Sequence, residues 1–387
     1  MRLIWGTVRG INETTSQVER LTVLLDGSVQ PHPAVSYPPL AGHCSVGERV
    51  LCNTTAVDLG LGTGGDHFVV ARAGEGVVVD DPVPGHIMKL RYTPLQRDVT
   101  TVEEPVSPHH EAMADARTLD GLPVVCCGLH SQVPLAAAAA KERRPGVRIA
   151  YVMTDESALP MALSRLVPRM LEAGLVDETI TCGQAFGGRL EAVNLYSGLL
   201  AARHVVRADL AIVAIGPGIP GTATPFGHSG VAQGQAVNAA GALGGRPIAV
   251  PRLSFADPRP RHVPLSHQTI TALGAVALTS AEIPVPRLPV DHARQVDEAF
   301  ERSGLWDRHT RVDVPIDSAP DTRGIEVRTM GRDFSADPAF FLAAAAAGWI
   351  AASCEAPGSA GHPHMHDRAC LDARMSRNPR HVMFGVA

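Results

Sequence analysis

Residues 216–222 read GPGIPGT and directly follow the apolar run ADLAIVAI at 208–215. Gly216, Gly218 and Gly221 have the spacing G-x-G-x-x-G. In a dinucleotide-binding turn that spacing lets the backbone approach a pyrophosphate at a helix start. With Thr222 after the last glycine, the stretch also has the frame of a phosphate-binding loop. Neither motif is complete. Pro217 and Pro220 remove backbone donors, 236–246 (AVNAAGALGGR) holds no acidic residue for a ribose, and no lysine follows the glycines. What remains is a stiff turn whose free amides and Thr222 hydroxyl can contact an anion, with His228 close to a helix start at Ser229.

Four other loops carry comparable residues: GLHSQ (128–132), MTDES (153–157), CGQAFGG (182–188) and PRLSFADPRPRH (251–262). His130 can act as a general base near neutral pH, with Ser131 beside it. Both can equally end a strand and start a helix. Asp155 suits a partner for that base, a metal ligand, a ribose binder or a helix cap. Cys182 is a buried thiol unless a neighbour lowers its pKa. Gly183, Gln184 and Gly187 can present amide donors to a carbonyl or phosphate. Arg252 has the planar fork that holds a carboxylate or phosphate by two bonds, and Ser254 follows it. An ion pair is the alternative for Arg252. His267, near a helix start, can face the same cleft.

Two histidine clusters could ligate a metal. His109, His110 and Glu111 lie in a proline-bounded connector, and His362, His364 and His366 lie in a tail without periodicity. Neither setting favours a metal centre, so none is expected.

These loops need a scaffold that gathers them. From 118 onward, near-continuous apolar runs alternate with helical patterns: LPVVCCGL (122–129), VRIAYVM (147–153), ETITC (178–182), ADLAIVAI and RPIAV (246–250). Such alternation predicts a parallel sheet covered on both faces. RVDVPI (311–316) and IEVRTM (325–330) are further strand candidates. Asp337 and Pro338 open a last helix. The expected fold is an αβα, Rossmann-like sandwich over 118–354, with an eight-stranded α/β barrel as the alternative, since strands recur about every 30 residues. Ligands of such sheets bind outside the carboxyl ends of the strands, where all five loops fall. Residues 1–92 read instead as short β runs broken by Gly, Asp and Pro, which predicts a small β-barrel. Residues 93–117 read as a connector and 355–387 as a peripheral tail.

Composition narrows the function classes. Of 387 residues, 45% are hydrophobic and 19% charged, which suits a globular chain with a sizeable core. A net charge of −5 argues against broad nucleic-acid binding. No run has the length of a membrane span and the N-terminus has no signal-peptide pattern. Seven scattered cysteines fit a reducing, cytoplasmic setting. Assembly as a homo-oligomer is compatible with all of this.

The long motifs VLCNTTAVDLGLGTGGDHFVV, GHIMKLRYTPLQ, GLHSQVP, TITCGQAFGG, GPGIPGT, PRLSFADPR and TMGRDFSADPAFF together resemble an uncharacterised bacterial family, a domain of unknown function, over about residues 1–350. The resemblance implies a bacterial, cytosolic protein and brings no activity, cofactor or catalytic residue. The expectation from the residues is an enzyme of a small anionic or phosphorylated metabolite, with His130 and Asp155 catalytic and the loops and Arg252 holding the ligand. A non-catalytic ligand sensor or scaffold, its barrel serving as partner module, is the alternative.

Overall fold

The computed structural model describes residues 1–61, 65–74 and 84–353. Its first unit is a closed barrel of β1 (Leu3–Thr14), β2 (Glu19–Leu25), β3 (His32–Ser36), β4 (Arg49–Asn53) and β5 (His67–Arg72), in the order β1-β2-β3-β5-β4. Pairing is antiparallel except between β3 and β5. Alternate residues of these strands point inward, so Val8, Leu21, Val23, Ala34, Val50, Cys52 and Val69 form one small core. Two short helices, α1 (Pro38–Ala41) and α2 (Thr55–Asp58), fill the loops.

A hairpin of β6 (Ile87–Lys89) and β7 (Arg97–Val99) follows, then α3 (His110–Ala114). The hairpin is pinned through a lysine with no exposed surface. Lys89 Nζ donates to the carbonyls of Gly183 (2.9 Å) and Ala192 (3.2 Å) and pairs with Glu191 at 3.3 Å. A buried ammonium is tolerable only with such partners.

The second unit is an open parallel sheet of β8 (Pro123–Cys126), β9 (Ile149–Thr154), β10 (Glu178–Cys182), β11 (Leu190–Ala192), β12 (Leu210–Ile215), β13 (Arg246–Ala249), β14 (Glu282–Pro286) and β15 (Thr310–Val314). Their order is β11-β10-β9-β12-β8-β13-β14-β15. The sandwich expectation is met, and the α/β-barrel alternative is overturned because this sheet stays open. Right-handed crossovers place helices by the direction in which the chain moves. Moving from β8 towards β10 puts α4 (Val133–Arg143) and α5 (Leu166–Glu172) on one face. Moving back puts α6 (Leu195–His204), α7 (Ala232–Ala242), α8 (His267–Thr271) and α9 (Val290–Ser303) on the other. The strand residues divide accordingly: Val125, Ile149, Tyr151 and Met153 face α4, while Cys126, Ala150, Val152 and Cys182 face α6 and α7.

The last helix, α10 (Pro338–Ala352), returns to the α4 face, and 13 of its 15 residues are buried. A helix that is apolar all round belongs inside a protein. Its contact with α4 depends on Gly348, because a Cβ there would fall inside the van der Waals shell of the Ala136 carbonyl oxygen.

One strand expectation is overturned, and one strand was not anticipated. Residues 325–330 are not a strand. Arg323, Gly324, Met330 and Gly331 adopt positive φ, and Thr329 and Arg332 exchange backbone hydrogen bonds in a tight turn. Ile325 and Val327 are apolar because they cover the core as loop residues. Conversely, β14 escapes sequence reading because Pro284 and Pro286 interrupt it. It pairs with β15 at five positions but with β13 at only Ile248/Glu282, as donor-less residues allow. The histidines at 362–366 lie outside the described residues. His110 Nδ1 meets the Glu103 carbonyl at 2.8 Å, so that ring holds a loop.

Replacing Gly348 by Ala should force α4 and α10 apart and destabilise the fold by about 1–3 kcal/mol or more. Urea unfolding of the two proteins measures this; an unchanged midpoint would show that the helices yield freely.

Candidate functional site

Where the chain reverses direction around β12, β8 and β13, successive loops leave towards opposite faces. That is where a parallel sheet opens a crevice. The crevice between β8 and β13 is closed by Gln233, a buried residue near the start of α7. Its Nε2 donates to the carbonyls of Cys126 (2.8 Å) and Val250 (2.7 Å). The opening lies further out, between the β12–α7 loop and the segment joining β13 to α8.

There a cavity of about 90 Å³ is walled by Gly221 and His228 on one side and by Arg252, Arg259, Arg261 and His262 on the other, with His267 and Gln268 of α8 above. Arg252 is 5% exposed. Its Nη1 donates to Gln268 Oε1 at 2.7 Å and its Nη2 to Asp257 Oδ2 at 3.2 Å. Asp257 also accepts from Arg259 Nε and Nη2 (both 2.9 Å) and from Arg332 Nη2 (3.1 Å). A second buried carboxylate, Asp337 at the head of α10, accepts from Ser254 Oγ (2.6 Å), the Phe255 amide (3.2 Å) and Arg332 Nε (3.2 Å). Three guanidinium groups therefore meet two carboxylates, and Arg261 adds a further positive charge at the rim. Burial alone would raise the Asp257 carboxyl, but the Arg259 hydrogen bonds outweigh it and hold the group well below the usual range. Burial pushes Arg252 down to about 10, against the pull of Asp257.

The histidines report the same field. His228, His267 and His262 form a chain of rings with centroids 5.4 and 5.1 Å apart. Burial, with Arg252 and Arg259 adding to it, pushes His262 down to about 3, while its Nδ1 sits 2.7 Å from Ser266 Oγ. Burial also lowers His267, followed by His228 and Arg261. His228 is 6% exposed, and neither of its buried ring nitrogens has a hydrogen-bond partner. Burial lowers its pKa and Arg252 adds to the effect; the Pro225 carbonyl opposes it from outside hydrogen-bond geometry. A neutral imidazole normally satisfies one donor and one acceptor, so an unpartnered buried ring facing cations is a place for a ligand.

The residues singled out in the sequence go to several places. Gly221 and Arg252 meet in the cationic cavity, joined by His267. Ser254 is committed to Asp337. Gly216 lets the loop pass the Ala158 backbone, and Gly218 turns at φ +86° in open space. Thr222 Oγ1 closes its own loop against Gly227 O at 3.0 Å. Gly187 lies in the groove between the barrel hairpin and α5, away from this edge. Ser131 sits in a single helical turn beside His130. Asp155 Oδ2 accepts the Gln184 amide at 2.7 Å, an approach that requires a glycine at 183 (φ +65°), since any Cβ there would strike that carboxylate.

His130, Asp155 and Arg252 thus fall in three separate environments. His130 is enclosed on the α4 face. Its Nε2 lies 2.7 Å from Ser164 Oγ and its Nδ1 3.0 Å from Tyr151 OH. Ser164 Oγ already accepts the amides of Leu166 and Val167, so its proton points at His130 and the ring donates to Tyr151. Burial drives this histidine down to about 4. The cavity residues that sequence reading passed over are Arg261, His262 and Gln268. Their signal was the density of Arg and His in PRPRH and SHQ after one strand.

No group of three metal-ligating side chains occurs among the described residues. No helix there is long and apolar enough to cross a membrane. No curated protein and no solved structure matches the chain. Residues 33–348 match a family model described as a protein of unknown function (DUF3866), which begins inside the barrel and ends in α10.

The buried histidines set a pH dependence. His130 and His262 resist protonation in the fold but take up protons near pH 6.5 when unfolded, so stability should fall as pH drops from about 6.5 towards 4. A His130→Gln variant should lose about one proton from that dependence, or about 1.4 kcal/mol per pH unit. Urea titrations at pH 7, 6 and 5 measure both slopes; identical slopes would mean that His130 takes up its proton in the fold just as it does in the unfolded chain.

Proposed function

The chain belongs to the DUF3866 family, whose description carries no activity, and on the geometry of its cationic cavity we propose that it is an enzyme acting on a small anionic metabolite. The observation that carries this reading is His228, buried with both ring nitrogens unpartnered among Arg252, Arg259, Arg261 and two further histidines. A volume of about 90 Å³ amounts to roughly three waters, where metabolite pockets span about 300–1,000 Å³. The cavity therefore takes one oxyanion group, a phosphoryl or carboxylate, and the rest of the metabolite lies outside it along the carboxyl edge of the sheet. Arg252, already oriented by Gln268 and Asp257, and Arg261 at the rim supply the fixed charge.

His228 is the acid–base candidate in this reading, in the role the sequence suggested for His130. Burial and then Arg252 depress its pKa, and an anion against the ring acts in the opposite direction. Binding is then coupled to proton uptake, which places a proton beside the bound group where chemistry can use it. Asp155 and the 183–188 loop belong to a different part of the edge. A bacterial, cytoplasmic setting accords with this reading.

Sulfate tests it, because its charge is constant across the working range. Calorimetric titration should give a Kd that tightens from pH 8 to pH 6 with net proton uptake. Arg261→Ala should weaken binding about tenfold, as for loss of one charged hydrogen bond. His228→Gln should remove most of the pH dependence. A pH-independent Kd in the unaltered protein would sink the reading.

A further inference from the structure

A second cavity, of about 440 Å³, opens at the same edge on the face of α6 and α7, and it shares no lining residue with the cationic one. Its character follows from strand parity. Ala150 and Val152 of β9 face α6 and α7, so Thr154 does too, at the point where the strand ends. Thr154 is 5% exposed, and its hydroxyl oxygen is buried without a partner. Asp155 and Glu156 follow it into the same cavity. Asp155 accepts one amide, and Glu156 Oε2 is buried with none. Neither carboxylate forms a salt bridge with another described residue. Asn194, Tyr196 and Gln235 also line the cavity, and none of them bonds to either carboxylate, while two nearby donors are engaged elsewhere. Lys89 is held by Gly183, Ala192 and Glu191, and Asn238 Nδ2 donates to Val276 O at 2.9 Å.

The cavity is thus rich in acceptors and holds an uncompensated pair of negative charges around an unsatisfied hydroxyl. Burying such groups costs free energy unless a ligand supplies the donors. We propose that this cavity binds the protonated head of a primary amine. Thr154, Asp155 and Glu156 take its three N–H donors, and Cys182, Leu195 and Ala239 receive its carbon stem. Calcium takes about six to eight oxygen ligands, more than these three residues supply, and no group of three metal-ligating side chains occurs among the described residues. The site goes beyond the anion reading and stands independently of it.

The test is ligand-observed NMR on the full chain with butylammonium, with butanol as its neutral counterpart. Butylammonium should bind, and butanol about tenfold more weakly. Thr154→Val and Glu156→Gln should each cost about tenfold in affinity, while Thr154→Ser, which keeps the hydroxyl, should bind as the parent does. His228→Gln should leave amine binding intact, which separates this site from the anion cavity. Equal binding of butanol, unchanged affinity in both weakened variants, or displacement of the amine by equimolar magnesium would each overturn the assignment.

Discussion

Asp257 has no exposed side-chain surface, and its two oxygens are shared among Arg252, Arg259 and Arg332. Few arrangements hold three guanidinium groups together inside a protein, and one is a common buried carboxylate. Everything at the cationic edge depends on it. Arg252 keeps its orientation, the loop after β13 keeps its course, and Arg332 is carried across to Asp337. Through Asp337 the same network reaches the head of α10. Without Asp257 the cations would repel one another and the cavity would have no fixed wall. The network therefore joins the cationic edge to the helix layer on the opposite face of the sheet.

That helix layer is built on small side chains. Aromatic residues are only 4% of the chain, and α4 and α10, although α10 buries Phe340 and Phe341, are rich in alanine. They approach until backbone meets backbone, with Gly348 against Ala136. Close approach replaces large-group burial with many short dispersion contacts, at the cost of tolerance, since one added methyl has nowhere to go. A layer this rigid suits a site whose cations must not drift.

The carboxyl edge of the sheet carries two cavities of opposite character. At the reversal of strand order, where parallel sheets generally open a crevice, the space is filled, and the cavities lie beside it. Gln233 fills the gap between β8 and β13 by bridging the last carbonyl of β8, Cys126, and that of Val250 just after β13. Open cavities lie to either side of α7. Arginines and histidines gather on one side, and carboxylates with an unsatisfied hydroxyl on the other. The glycine-proline turn after β12 forms part of the cationic wall. Its glycines serve a backbone approach at Ala158 and an open turn.

The layered sandwich and the N-terminal barrel were legible in the sequence, because apolar periodicity is a local property that survives folding. The incomplete nucleotide motif was legible for the same reason: its missing residues are missing in one dimension. Strand order was not, since periodicity says nothing about which strand neighbours which, and β14 with its two prolines did not read as a strand at all. The histidines were decided wholly by tertiary structure. His130, in an exposed-looking loop motif, is enclosed by Tyr151 and Ser164, whereas His228, in an ordinary turn, is left with two free nitrogens among arginines. Nothing in the local sequence of either residue encodes that difference. It arises from groups contributed by other strands and helices, and only the packed molecule brings those groups within hydrogen-bonding range.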